Sequence, residues 1–291
     1  MTLRVLDGIG AISSDYDAFI LDVWGVLHDG SQPFPGVIDA LQRLKRAGKR
    51  SVVLSNAPRR AAMVASRMAE IGIPRSLYDH VHSSGEEAWL HLKRRDDAFF
   101  KALGRRCYFI GPPRDEPVMK GLDLERVARV EDADFLLAIG PTDWEESVAP
   151  YEAMLQSARA RNLPMVCANA DLVVIHQGRR SICAGAIAAR YEEIGGNVRW
   201  HGKPHESVYE TCLRLLDVPD SKRILALGDS LRTDIAGAHA MGLDSVLLAS
   251  GIHAEEIGLV PGEPPDPARI ERLIEAAGGF MPRAVMTEFR W

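Results

Sequence analysis

Four times along this chain a short apolar run stops at a residue with chemistry of its own. The first run, Ala18 to Leu21, ends at Asp22 and enters the glycine-centred turn Val23-Trp24-Gly25-Val26. The second, Ser51 to Leu54, stops at Ser55-Asn56-Ala57, and Pro58 is positioned to open a helix from Arg59 onward. The third, the short strand Val198 to Trp200, leads into His201-Gly202-Lys203-Pro204 and a helix over Glu206 to Leu216. The fourth, Ile224 to Leu227, ends in Gly228-Asp229, with Asp234 five residues on. Alternation of apolar strands with amphipathic helices specifies an α/β fold with a parallel, doubly wound, Rossmann-like sheet, because parallel neighbours need a crossover and a helix supplies one. Open sheets of this kind bind ligands beyond the carboxyl ends of their strands. The four strand ends are therefore the candidate site.

Each end carries a residue type suited to one task. A carboxylate presented at a strand end can act as a nucleophile. A hydroxyl followed by free backbone N–H groups at a helix start makes an anion site. Lys203 adds an ammonium. Asp229 and Asp234, one at a strand end and one entering a helix, suit a hard cation such as Mg²⁺, which takes few protein oxygens and keeps several waters.

Further helices are expected over Val37 to Ala47, where Val37, Leu41, Leu44 and Ala47 fall at helical spacing, and over Ala61 to Ile71. From about Val81 to Gly196 a second α/β pattern runs through: strands near Cys107 to Ile110, Phe135 to Ile139 and Met165 to Ala168, and helices near Gly85 to Arg94, Val148 to Arg161 and Gly185 to Ile194. The expected division is thus a first core segment 1–80, an inserted α/β cap domain 81–196 and a second core segment 197–291. His176 and Gln177 read as a hairpin turn, and Pro261 to Pro267 as a Pro-rich loop joining two core elements. Arg59-Arg60 reads as the solvated first turn of a helix. Trp89, Trp144 and Trp200 read as core residues.

Nucleophilic aspartate, serine, lysine and an aspartate pair, in that order, resemble the haloacid dehalogenase superfamily of phosphotransferases and phosphatases. Asn56 after the serine, the Asp22 to Gly30 loop ending His-Asp-Gly, and the long insert are similar to its class IIA branch, which holds p-nitrophenyl, phosphoglycolate, pyridoxal and bacterial ribonucleotide phosphatases. The resemblance implies a Mg²⁺-dependent phosphatase acting on a small organic phosphate through an aspartyl phosphate. It implies Asp22 as nucleophile, Ser55, Asn56, Ala57 and Lys203 around the phosphoryl oxygens, and Asp22, the Trp24 carbonyl, Asp229 and Asp234 around the ion. The cap would close over the core and supply specificity, with Asn169-Ala170-Asp171 and the Ser181 to Gly185 turn as candidates. Asn169 and Asp171 can equally form a side-chain-to-backbone turn. A homodimer through the cap is an arrangement the resemblance allows.

One departure stands out. Superfamily phosphatases carry a second aspartate two residues after the nucleophile, as the proton carrier for the leaving group, and this chain has Trp24 there. Indole N–H has no useful acid or base chemistry near neutral pH. His28, Asp29 and His205 are the reachable substitutes by sequence, each with a structural alternative: a His-Asp-Gly turn for the first two, a helix cap for His205. Two other readings stay open: a phosphate-binding or regulatory protein with slow turnover, and a dehalogenase-like C–X hydrolase, which accepts an aromatic residue at that position but has no need of Asp229 and Asp234.

Composition is compatible with all three. At 291 residues, 46% of them hydrophobic, the chain can build a sizeable core. A net charge of −5 leaves no electrostatic footprint for nucleic acid or a membrane surface. Cys107, Cys167, Cys183 and Cys212 lack metal-ligand spacing and read as buried thiols of a reducing compartment. No apolar run approaches the roughly 18 residues of a membrane span, and residues 1–16 lack a signal pattern, so a cytoplasmic enzyme is expected.

Overall fold

The computed structural model describes residues 3–176, 178–260 and 262–291. Its strands are β1 (Val5–Leu6), β2 (Ala18–Leu21), β3 (Arg50–Ser55), β4 (His80–Ser83), β5 (Arg106–Ile110), β6 (Glu125–Val127), β7 (Phe135–Ala138), β8 (Pro164–Cys167), β9 (Val173–His176), β10 (Arg179–Ile182), β11 (Asn197–Trp200), β12 (Ile224–Gly228), β13 (Asp244–Leu248) and β14 (Ala284–Met286). The chain divides into two compact units. Unit 1 comprises Met1–Ser55, Ala65–His82 and Lys203–Trp291, and unit 2 comprises Asn56–Val64 and Ser83–Gly202.

Unit 1 is built on a seven-stranded sheet of order β1-β14-β13-β12-β2-β3-β4. Its registered pairs, β1 with β14, β14 with β13, β13 with β12, β12 with β2 and β2 with β3, are all parallel. Every residue of β2 and β12 is buried, as the continuous apolar runs of strands covered on both faces require. On one face Ile20, Val52, Leu54 and Ala226 pack with Val208, Tyr209, Cys212 and Leu216 of the helix Glu206–Leu216. Nearer the β14 edge, Leu247 and Val285 pack with Ile270 and Ile274 of the helix Pro267–Ala276. The strand order reverses between β2 and β12: successive strands lead one way from β2 through β3 to β4, and the other way from β12 through β13 to β14. Such a switch point is where a doubly wound sheet opens a ligand crevice.

Unit 2 has its own parallel five-stranded sheet, order β11-β8-β7-β5-β6, and an antiparallel hairpin β9–β10. Alternation along the strands sorts the core. Leu136, Ala138, Met165 and Cys167 face Leu155, Ala158, Ile187 and Ala188 of two helices, while Phe135, Leu137, Val166 and Phe109 face Ala88, Leu92 and Phe100.

Several sequence expectations change here. The strand before His201 belongs to unit 2, paired from Asn197↔Pro164 to Trp200↔Cys167. Asn-Val-Arg-Trp is a half-buried edge strand, so nothing in its own pattern says which sheet it joins. The units divide at His82/Ser83 and Gly202/Lys203, and residues 56–64 go with unit 2; the sequence division was 80/81 and 196/197. The helix after Pro58 begins at Ala61, so Arg59 and Arg60 are not its first turn. Arg60 instead makes a two-pronged ion pair with Glu86, at 2.7 and 3.0 Å, and lies 3.6 Å over the Trp89 ring; Arg59 pairs with Asp115 at 3.1 Å. Trp144 is 36% exposed and not core. His176 is not a turn residue but ends β9, paired with Arg179, and Gln177 lies outside the described residues; Pro261, the start of the expected Pro-rich loop, also lies outside them. The four cysteines are buried thiols, with no disulfide among the described residues.

Candidate active site

The ends of β2 and β12 set the site. The N–H of Asp22 donates to the Leu227 carbonyl at 2.9 Å, so strand pairing continues onto Asp22 itself. Asp229 follows the last residue of β12. Since Leu21 pairs with Val53, Ser55 ends the neighbouring strand at the same edge, and its side chain is buried. The Lys203 ammonium donates to Oδ1 of Asp22 and, at 2.8 Å, to Oδ1 of Asp234.

Asp234 is held by a single π-helical turn, Leu231–Ile235, in which the Ile235 N–H reaches back to the Ser230 carbonyl at 3.1 Å. Such wide turns recur at functional sites because they redirect a side chain at the cost of regular hydrogen bonds. The surrounding groups offset that cost. Ser230 Oγ accepts from the Thr233 N–H at 3.3 Å, and the Tyr209 hydroxyl lies 3.3 and 3.2 Å from the carbonyls of Thr233 and Asp234.

Oxygens of Asp22, Asp229 and Asp234 lie within 4.8 Å of one another, and all three residues are buried. Three ionised carboxylates facing one ammonium would carry two excess negative charges, which a divalent cation would neutralise. Burial pushes the Asp22 carboxyl up, Lys203 pulls it back, and Asp234 adds to the rise. Asp229 is pushed well above the carboxylate range, by burial first and then by Asp22 and Asp234, despite the Ile252 N–H that donates to its Oδ2 at 2.9 Å. Glycines make room for this crowding. A Cβ on Gly25 or on Gly251 would lie 2.1 Å from Asp229 Oδ2, and one on Gly228 would lie 2.0 Å from the Asp234 Cγ. Gly25 is also left-handed at φ 82°.

The Trp24 ring folds back on its own loop. It stands edge-on to His28, centroids 5.6 Å apart, and so close over Gly30 that a Cβ there would lie 2.4 Å from it. The loop's other candidates for proton transfer are engaged. His28 Nδ1 accepts from the Gly30 N–H at 3.0 Å, and burial pushes its pKa down to about 4, so it is neutral at physiological pH. Asp29 Oδ1 accepts from Ser31 N, Ser31 Oγ and Gln32 N; these bonds hold its pKa below the usual range. His205 sits at the N-cap of its helix without a side-chain capping bond. The neutral His28 has a consequence for stability. Its folded pKa lies below the ordinary histidine value, so its contribution is present above about pH 6.5 and lost as pH falls towards 4, about 3 kcal/mol in all. Urea midpoints at pH 7 and 4.5 should therefore differ less for His28→Asn than for the parent; an equal pH loss in both would refute the buried neutral imidazole.

The remaining expected residues lie in unit 2. The Asn56 side chain donates to Asp171 Oδ1 at 2.8 Å. The Asn169 carboxamide accepts from the Asp171 N–H at 2.9 Å, so these two residues do form the side-chain-to-backbone turn. The Ala57 carbonyl accepts from Ser84 Oγ and from the Gly85 N–H. Sequence reasoning missed Gly251 and Ile252, for which no local motif exists, and the cradling role of Gly25 and Gly228, which the motifs contain.

Three buried carboxylates and an ammonium at the switch point of a parallel sheet agree with what comparison shows. The chain belongs to the haloacid dehalogenase-like hydrolase family, matching one model of that description over residues 19–125 and a second, HAD-hydrolase-like, over residues 200–276. It is 33% identical to a haloacid dehalogenase-like hydrolase from Brucella suis, with a TM-score of 0.82 over 98% of this chain and 99% of that one. Among curated relatives it is 27% identical to D-glycerol 3-phosphate phosphatase of Mycobacterium tuberculosis, over 84% of this chain and 66% of that enzyme, just under two thirds of its length. It is 25% identical to ribonucleotide monophosphatase NagD of Escherichia coli, over 84% of this chain and 92% of the relative.

Proposed function

We propose that this chain is a Mg²⁺-dependent phosphatase of small organic phosphates, working through an aspartyl phosphate on Asp22. The observation that carries the reading is the cluster of Asp22, Asp229, Asp234 and Lys203 at the ends of β2 and β12. A carboxylate oxygen of Asp22 attacks phosphorus, the leaving oxygen departs with the substrate's organic part, and water then cleaves the acyl phosphate to free Asp22 and inorganic phosphate. Ser55 and Lys203 hold phosphoryl oxygens, together with backbone groups of Asn56 and Ala57. Asn169 and Asp171, the second of which also accepts from the Asn56 side chain, are the candidates in unit 2 for contact with the substrate's organic part. Mg²⁺ would be held by Asp22, Asp229 and the Trp24 carbonyl, with Asp234 directly or through water; it supplies charge neutralisation for an incoming phosphate dianion. Relatives named as phosphatases support the substrate class.

Among the described residues no helix is long and apolar enough to cross a membrane, in keeping with the cytoplasmic location proposed here. Phosphate release across a metabolite panel, with and without Mg²⁺, tests the proposal. Turnover should vanish in EDTA and return with Mg²⁺, and Asp229→Ala should raise the Mg²⁺ requirement at least about tenfold, since it removes one charged ligand. Chelator-insensitive turnover would overturn the metal assignment. The engaged state of Trp24, His28 and Asp29 favours one second reading, a phosphate-binding protein with slow turnover, in which the panel gives binding with little release.

A further inference from the structure

Unit 2 contains a second cluster with a different donor set. Glu87 and His91 lie four residues apart on the helix Ser84–Arg94 and therefore on one face. His201 follows β11, its N–H donating to the Cys167 carbonyl at 3.0 Å, so the sheet fixes its backbone. One ligand atom from each of the three lies within 4.8 Å of the other two. The His201 and Glu87 side chains are 3% and 5% exposed, whereas His91, at 33%, opens the cluster to solvent.

The hydrogen bonds within this cluster stop short of satisfying it. Glu87 Oε2 accepts from the Gly202 N–H at 3.2 Å and lies 3.1 Å from His201 Nδ1. His201 Nε2 and His91 Nδ1 are buried atoms with no hydrogen-bond partner among the described residues. The nearby Asp96 carboxylate is 3.7 Å from His91 Nδ1, beyond hydrogen-bonding distance. A buried polar atom without a partner is costly, and here two imidazole nitrogens bear that cost beside one carboxylate. A neutral imidazole is the form that binds metal. The missing component is a Lewis acid that takes up the imidazole lone pairs.

We propose that Glu87, His91 and His201 form a Zn²⁺ site inside unit 2, tying the helix Ser84–Arg94 to the end of β11. Two nitrogens and a carboxylate suit Zn²⁺, whereas Mg²⁺ prefers oxygen ligands alone. The fourth position, on the His91 side, is left to water. This site is independent of the Asp22 cluster in residues, unit and metal preference.

Chelator-stripped full-length protein, titrated with Zn²⁺ against a chromogenic chelator in millimolar Mg²⁺, should take up one equivalent. Co²⁺ at the same site should give visible ligand-field bands. His91→Gln, a half-exposed change on a helix surface, should weaken uptake by about 100-fold or more and remove the bands, and Glu87→Gln should do the same. Asp229→Ala should leave both readings as in the parent. Absence of uptake by the parent would overturn the site, leaving the histidines as packing around Phe100, whose ring is 5.1 Å from His91 and 5.7 Å from His201. So would uptake abolished by Asp229→Ala but kept in His91→Gln, which places the ion at the Asp22 cluster.

Discussion

Asp22→Asn should lower kcat by at least about 10⁴, the scale on which removal of a nucleophile acts, while the metal-free protein becomes no less stable. The two halves of that result have one cause. Asp22 is buried with Asp229 and Asp234, and the cost of burying its charge, with the neighbouring carboxylates adding to it, exceeds what Lys203 offsets, as the upward shifts of Asp22 and Asp229 record. An amide keeps the shape, removes one of the crowded charges, and leaves Lys203 its bond to Asp234. It cannot attack phosphorus. Phosphate release and thermal melting in EDTA, measured on the same preparations, check both halves. Residual activity above a few per cent of the parent would remove Asp22 from its proposed role, and a melting point lowered by several degrees would show that the carboxylate stabilises the metal-free fold.

A steep preference for good leaving groups is the second large effect. Protonating a departing alkoxide is worth roughly 10²–10⁴ in rate, and nothing on the loop after Asp22 is equipped to do it. Trp24 is packed on Gly30 and His28, the His28 lone pair is bonded to Gly30, and Asp29 is spent on Ser31 and Gln32. Aryl and acyl phosphates expel stable anions and escape this handicap. p-Nitrophenyl phosphate or acetyl phosphate should therefore be cleaved about 10²–10⁴ times faster than a sugar phosphate of similar size, and Trp24→Asp should narrow the gap. The measurement is log kcat/KM against leaving-group pKa for both proteins. A shallow slope in the parent would mean that an acid outside this loop serves the reaction.

The strand-end motifs were legible because each is a short local pattern with one chemical purpose. Asp22, Lys203, Asp229 and Asp234 do converge, and Ser55 ends the adjacent strand. Where reading failed, the deciding partner lay far along the chain. Val198 to Trp200 pairs as well in principle with either sheet, and only β8 decides it. Arg60 looks solvated until Glu86 and Trp89 are placed beside it. Ile252 gives no sign in its own segment that its amide serves Asp229, and Gly251 shows no motif that would explain the absence of a side chain. Asn169 and Asp171 allow two readings by sequence, and the bond from the Asp171 N–H to the Asn169 carboxamide forms the turn that one of them requires.

The neighbours of β2 also dictate when this protein can exist as it emerges from a ribosome. Ala18 to Leu21 pair on one side with residues 50–53 and on the other with residues 224–227. The five-stranded sheet, by contrast, draws all its strands from the continuous stretch 83–202. That stretch can complete its sheet while residues 224–228 are still being synthesised, and until they arrive a wholly apolar strand has an open edge. Distant pairings of this kind are slow and expose sticky surface in the meantime. Translation arrested before residue 224 would thus release a chain with one sheet finished, no second wall for Asp22, and an unprotected β2 edge for chaperones or aggregation to claim.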